Sequence, residues 1–255
     1  MKNMLAAIWS ESLKVLRSKV FSFTFIFFAI MPIMFGLMSF IQNNPELAYS
    51  IGSIGSGVTL DGTVDWTSYL GNLNQGAAGA GIVGFAFVAS WIFGREYSDR
   101  TIKDLLALPV SRSWIVLSKF IVMFIWCVLL SLFMFVIGLI AGTVIDLGGL
   151  SIEVLIHSFN RFIVTSILAI IISTPAAFLA NYTRGYLLPI GFTILTIIIG
   201  NFMGIVGLTQ YYPWALPTVY QYGGYLGTCS WIILCLTGIF GLLGTFAWWR
   251  YADQT

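Results

Sequence analysis

Residues 185–249 read GYLLPIGFTILTIIIGNFMGIVGLTQYYPWALPTVYQYGGYLGTCSWIILCLTGIFGLLGTFAWW and contain no Asp, Glu, Lys or Arg. A bilayer-spanning helix needs about 20 apolar residues, because lipid offers the backbone no hydrogen-bond partners. The run is too long for one such helix, and Pro213, Pro217, Gly223 and Gly224 break its centre. It therefore divides into two spans, near 186–208 and 229–249, around an aromatic loop at 209–228. Working outward, residues 20–45, 66–94, 120–145 and 162–183 are equally free of charge. They place four more spans, with cores near 20–41, 73–93, 119–142 and 160–180. The expected fold is all-α, a single polytopic membrane domain over 1–255 with six transmembrane helices.

Composition agrees. The 255 residues are 58% hydrophobic and 9% charged, against roughly 25% charged in soluble chains. A net charge of +2 gives nucleic acid no global field to bind. Cys127, Cys229 and Cys235 form no C-x-x-C pair, so neither a disulfide framework nor a zinc site is expected. His157 is the single histidine, which rules against a Ser-His triad or a zinc-binding His pair. Glu153, His157 and Arg161 recur every four residues before the fourth span and share a helix face. Two readings stay open for them, an outer-surface amphipathic turn or a substrate-gating charge cluster.

Orientation follows from Lys and Arg in the loops. With a cytoplasmic N-terminus, eleven of the twelve basic residues lie inside and Arg161 alone lies outside; both termini are then cytoplasmic. The first apolar stretch is about twice the length of a signal-peptide h-region and no A-x-A site follows it, so it is expected to remain as the first span. Residues 1–19 precede it as an amphipathic interfacial helix. Leu5, Ile8, Trp9, Leu13 and Leu16 share one face, and Asn3, Ser10, Glu11, Lys14 and Arg17 the other. Such a segment serves either as a positive-inside anchor or as an elbow helix bracing the bundle.

Between the second and third spans stands GREYSDRTIKDLLALPVSRSWIVLSKF, residues 94–120. Asp99 or Ser98 can cap a short helix with Ile102, Leu105 and Leu106 on its apolar face. Pro109 ends it, and Ser111 can cap the next span. Either this helix folds back on the membrane, or its apolar face enters a groove on another protein.

The stretch resembles the cytoplasmic loop of ABC-2-type transporter permeases, carried here by Glu96, Thr101, the Leu105-Leu106 pair, Pro109-Val110-Ser111-Arg112 and Lys119. The Glu11 to Lys19 run and six spans in about 250 residues are similar to the same family, nearest its bacitracin- and lantibiotic-type export permeases. Asp99-Arg100 stands where many members carry a glycine. The resemblance implies that residues 94–118 form a coupling helix seated on a cytoplasmic ATPase, with Glu96, Thr101, Ile102, Leu105, Leu106, Pro109 and Arg112 transmitting force. It implies two copies, or a related pair, of permease. It also implies alternating access driven by separate ATPase subunits in a bacterial cytoplasmic membrane.

No G-x-x-x-x-G-K-[ST] phosphate loop occurs, and none of the five lysines follows a glycine. The chain is thus expected to be no enzyme and to hold no cofactor, ATP and magnesium residing in the partner ATPase. Charge-depleted spans suit an amphipathic cargo, an antimicrobial peptide or a lipid-like molecule, better than a small ion. Thr193, Thr196 and Asn201 are the candidate pathway groups. Tyr212 and Trp214 belong either to an interfacial aromatic belt or, by the resemblance, to a re-entrant outer gate. Gly138-x-x-x-Gly142, Gly200-x-x-x-Gly204 and the Gly76–Gly84 run allow close helix contacts, more readily within one subunit than between two. The rival reading is an ATP-independent channel or scaffold whose basic loop only holds topology.

Overall fold

The computed structural model describes residues 2–44, 46, 64–102 and 110–252. Among them are eight α-helices and no strand: α1 (Lys2–Leu16), α2 (Lys19–Asn43), α3 (Trp66–Ser98), α4 (Arg112–Val144), α5 (Ile152–Tyr182), α6 (Leu187–Val206), α7 (Leu216–Gln221) and α8 (Thr228–Tyr251). Six of them, α2 to α6 and α8, are long and apolar enough to cross a membrane. Helices α3, α4 and α5 outrun the apolar cores, at 33, 33 and 31 residues. At 1.5 Å per residue that is about 45–50 Å, so their ends project beyond a hydrocarbon layer about 30 Å thick.

Polar caps set several ends. Ser18, Asp65 and Ser151 accept the backbone N–H of Phe21, Ser68 and Val154 at the starts of α2, α3 and α5. That bond holds the Asp65 carboxyl below the ordinary aspartate range. Ser98 and Asp99 do not open a new helix: Ser98 is the last residue of α3, and Asp99 is its C-cap. Arg100 then turns left-handed at φ 58°, and the Thr101 and Arg100 N–H groups return to the Glu96 and Tyr97 carbonyls. This is a Schellman closure with arginine in the place glycine prefers.

The lipid-facing helices are inside out. In α2 the buried residues are Thr24, Phe28, Pro32, Gly36 and Ser39, while Phe23, Ile26, Ile30, Ile33 and Met34 are exposed. In α8 they are Ser230, Leu234, Gly238, Gly241, Thr245 and Trp249. Both sets recur every three to four residues, so small and hydroxyl side chains mark the packing face and large apolar ones meet lipid.

Helices α3 and α5 pack along each other as the central pair, with α8 on α5 and α1 and α2 on α4. The Tyr69 hydroxyl lies 3.2 Å from the Pro32 carbonyl and 3.0 Å from that of Gly138, tying α2, α3 and α4. At the α1 end, the buried Trp249 indole donates to Asn181 Oδ1 at 2.7 Å, tying α8 to α5. The Gly138-x-x-x-Gly142 motif is spent inside the chain. A Cβ on Gly138 or Gly142 would meet Leu73 at 2.6 Å or the Trp66 ring at 2.5 Å.

Candidate functional site

At the α1 end, four charges from three helices meet. The Lys119 ammonium of α4 is fully buried, 2.8 Å from Glu96 Oε1 of α3 and 3.3 Å from Glu11 Oε2 of α1. It also donates to the Ile92 carbonyl at 3.1 Å. Lys14 of α1 approaches Glu11 Oε1 at 2.6 Å and Glu96 Oε1 at 3.2 Å. Two carboxylates and two ammonium groups make the cluster neutral, the condition under which charges tolerate burial. Burial alone would push the Glu11 carboxyl up, but Lys119 and Lys14 together hold it below the ordinary glutamate range. Glu96 Oε2 is buried with no hydrogen-bond partner among the described residues.

The cluster corrects the expected posture of α1. Glu11 does not lie on a headgroup-facing side but turns into the bundle beside Val15, and Lys14 reaches it while staying partly exposed. Leu5, Trp9 and Leu16 are exposed instead, because a buried lysine on α4 supplies Glu11 with a partner that headgroup water cannot match. Arg17 is exposed and pairs with no carboxylate among the described residues. Sequence reasoning missed Lys119 as a site residue. Its signal was a single lysine inside an apolar helix, with a glutamate at the end of the helix before it.

Of the other coupling candidates, Thr101, Ile102 and Arg112 are among the described residues. Glu96 and Arg112 do not pair with each other. Arg112, the first residue of α4, donates to the Trp249 carbonyl at 3.2 Å near the C-terminus of α8, where the helix dipole favours a cation. Thr101 is exposed, its N–H closing α3. Ile102 is only 7% exposed and packs in the chain's own core, so that side chain is not on a free docking face. Leu105, Leu106 and Pro109 lie outside the described residues.

At the opposite, distal end, residues 209–221 form two 3-10 turns and α7. The segment has two faces. Tyr211, Tyr222 and Tyr225 are exposed, as a belt requires, whereas Ala215, Leu216, Pro217 and Gln221 are buried. Gln221 donates to the Gly71 carbonyl at 3.1 Å, and Arg161 donates to the Gln221 carbonyl at 3.3 Å. Arg161 thereby leaves Glu153 and His157, which stay exposed.

A cavity of about 450 Å³ opens between this segment, α3 and α6. Ala78, Gly79, Gly200, Asn201, Trp214 and Val219 are among its walls. Of the pathway candidates, Asn201 and Trp214 line it. Thr193 and Thr196 do not: they are buried and donate to the Pro189 and Thr193 carbonyls of their own helix. The Tyr212 hydroxyl donates to the Thr196 carbonyl at 2.9 Å, and its ring packs 5.6 Å from that of Trp214. Small residues leave the room here, and the walls offer few polar groups, as suits an amphipathic guest.

Comparison with known proteins adds a family. A model described as ABC-2 family transporter protein matches residues 7–200. The chain is 29% identical over 177 residues to a Bacillus licheniformis protein named bacitracin transport permease protein BCRB. That match covers 68% of this chain and 85% of the relative.

Proposed function

Because the chain belongs to the ABC-2 family of transporter proteins, a multi-pass membrane subunit of an ABC transporter and not itself the catalytic one, we propose that it is the permease of an exporter. Separate ATPase subunits, holding ATP and magnesium, dock on the loop at 94–118 and drive alternating access. A second permease, identical or related, completes the pathway. The basic residues that gather at the α1 end support a cytoplasmic placement of that end, and with it of both termini.

The observation that carries this reading is the buried four-charge cluster. The loop leaves α3 at Glu96–Asp99 and enters α4 at Arg112. The same two helix ends are locked to α1 through Lys119 and to α8 through Arg112. A push on Thr101, Leu105, Leu106 or Pro109 is therefore passed to four helices, with α1 as the elbow. A neutral cluster with Lys119, Glu96 and Glu11 buried has few alternative arrangements, so the unit moves as a body rather than deforming. A channel or scaffold gains nothing from such a linkage.

The cargo is an amphipathic molecule, an antimicrobial peptide or a lipid-like compound, and the distal cavity beneath Trp214 is where it rests. The name of the Bacillus licheniformis relative points the same way. The test is ATP hydrolysis by permease and ATPase reconstituted together in vesicles. Amphipathic peptide or lipid should raise turnover several-fold, and small cations should not. Stimulation by a small cation with no response to any amphiphile would refute the cargo.

A further inference from the structure

Beside the charge cluster is a second cavity that the transport reading does not use. It holds about 480 Å³ and is lined by Lys14, Arg17, Ser18, Trp91, Arg95, Ser98, Asp99 and Tyr186. Three cations face one carboxylate, and they are not equally spent. Lys14 is neutralised by Glu11 and Glu96. Arg95 reaches Asp99 Oδ2 only at 3.7 Å, and its guanidinium lies 4.9 Å over the Trp91 ring. Arg17 pairs with no carboxylate among the described residues. Arg95 also donates to the Lys14 carbonyl at 3.4 Å, so the guanidinium charge with no ion pair among the described residues is that of Arg17, the kind of donor that best matches phosphate oxygens.

A second groove lies directly deeper. It is lined by Phe23, Thr24, Phe27, Val83, Gly84, Phe87 and Ile190, holds about 150 Å³ and exposes only apolar atoms. Both draw on α3 and on the starts of α2 and α6, and the cavity adds Lys14 of α1 and Arg17 of the turn after it. Ser18 precedes Phe23 at the start of α2, Phe87 lies four residues before Trp91 on α3, and Ile190 lies four after Tyr186 at the start of α6. Four residues of helix are about 6 Å of rise. On all three elements the step from cavity to groove runs from the α1 end toward the middle of the span. An apolar groove therefore lies about one helical turn further in than the basic pocket on these elements.

We infer that this pair is a phospholipid site: the cavity of Arg17 and Arg95 takes an anionic phosphate headgroup from the leaflet at the α1 end, and the Phe23–Phe87–Ile190 groove takes its acyl chain. The charge surplus selects an anionic headgroup over a zwitterionic one. The stacked depth selects a lipid over free phosphate. Bound there, the lipid would bridge α1, α3 and α6 without touching the distal cavity, so the site stands whether or not the cargo reading holds.

The test is native mass spectrometry of the intact chain in detergent. It is titrated with dioleoyl phosphatidylglycerol, dioleoyl phosphatidylcholine, dihexanoyl phosphatidylglycerol and inorganic phosphate. The long-chain anionic lipid should bind at least about tenfold more tightly than the zwitterionic one, a margin that each basic contact at a membrane surface can supply most of. Arg17→Gln/Arg95→Gln should remove that preference. Val83→Phe, which fills the groove, should weaken the dioleoyl but not the dihexanoyl lipid. Arg17→Gln alone, at a side chain with no ion pair among the described residues, should lower phosphatidylglycerol affinity at least about threefold and so decides the matter even if the double variant does not fold. Equal affinity for the two dioleoyl lipids, or no effect of Arg17→Gln in folded protein, would overturn the site. Displacement of phosphatidylglycerol by equimolar inorganic phosphate would make it an anion site and overturn the lipid.

Discussion

Lys119 is 0% exposed and shared by Glu96 and Glu11. Removing it leaves two carboxylates with only Lys14 between them. Breaking a buried pair on one side costs about 3–5 kcal/mol, so Lys119→Met should lower unfolding stability in detergent by that order. Lys119→Met/Glu11→Gln, which restores neutrality, should recover more than half of the loss. Glu11 adds a pH dependence. Its folded carboxyl titrates below its unfolded value, so its stabilisation is complete above the ordinary glutamate range and is lost as pH falls through the lowered folded value. Wild type should show a falling thermal midpoint on acidification that is flatter in Glu11→Gln. Arg100 gives a change of opposite sign. It holds φ 58° at an exposed Schellman turn, where a non-glycine residue is strained by about 1–2 kcal/mol. Arg100→Gly should raise stability by about 1 kcal/mol, read as a higher unfolding midpoint.

At the scale of the elements, contacts between helices are set by missing side chains. A Cβ on Gly241 would lie 2.5 Å from the Thr174 carbonyl carbon, where α8 crosses α5 beside Pro175. Backbone cannot yield as a side-chain tip can, so Gly241→Ala should cost about 1–3 kcal/mol or more. Gly71 has nothing within 4 Å of its Cβ position, and Gly71→Ala should be neutral or gain up to about 1 kcal/mol from helix propensity. The distal cavity is tested by Asn201→Leu. Asn201 is exposed and bonds only within α6, so the thermal midpoint should hold while peptide-stimulated ATP hydrolysis falls several-fold. An unchanged response would remove Asn201 from the pathway.

For the whole molecule, the six spans were legible because charge is excluded from lipid, so charge-free runs of the right length can hardly be anything else. The family was legible in one loop, from Glu96 through Arg112 to Lys119. What was hidden is which way each helix turns. A wheel drawn for water puts Glu11 and Lys14 of α1 on the solvent side, but in a bilayer the polar face can be the one that needs protein. Lys119 and Glu11 lie 108 residues apart, and no periodicity joins them. Thr193 and Thr196 share a face, as their spacing says, and both are buried and donate to carbonyls of their own helix. In lipid a hydroxyl that bonds its own backbone is as good a contact as a small apolar group.

The claim on which the rest depends is that an ATPase grips the loop between α3 and α4. Co-purification with the candidate ATPase in mild detergent tests it directly, comparing wild type with Leu105→Asp/Leu106→Asp. Stable association in wild type, lost in a variant whose thermal midpoint is unchanged, is the predicted result. Equal binding by the variant would move the docking site elsewhere, and no binding by wild type would contradict the account.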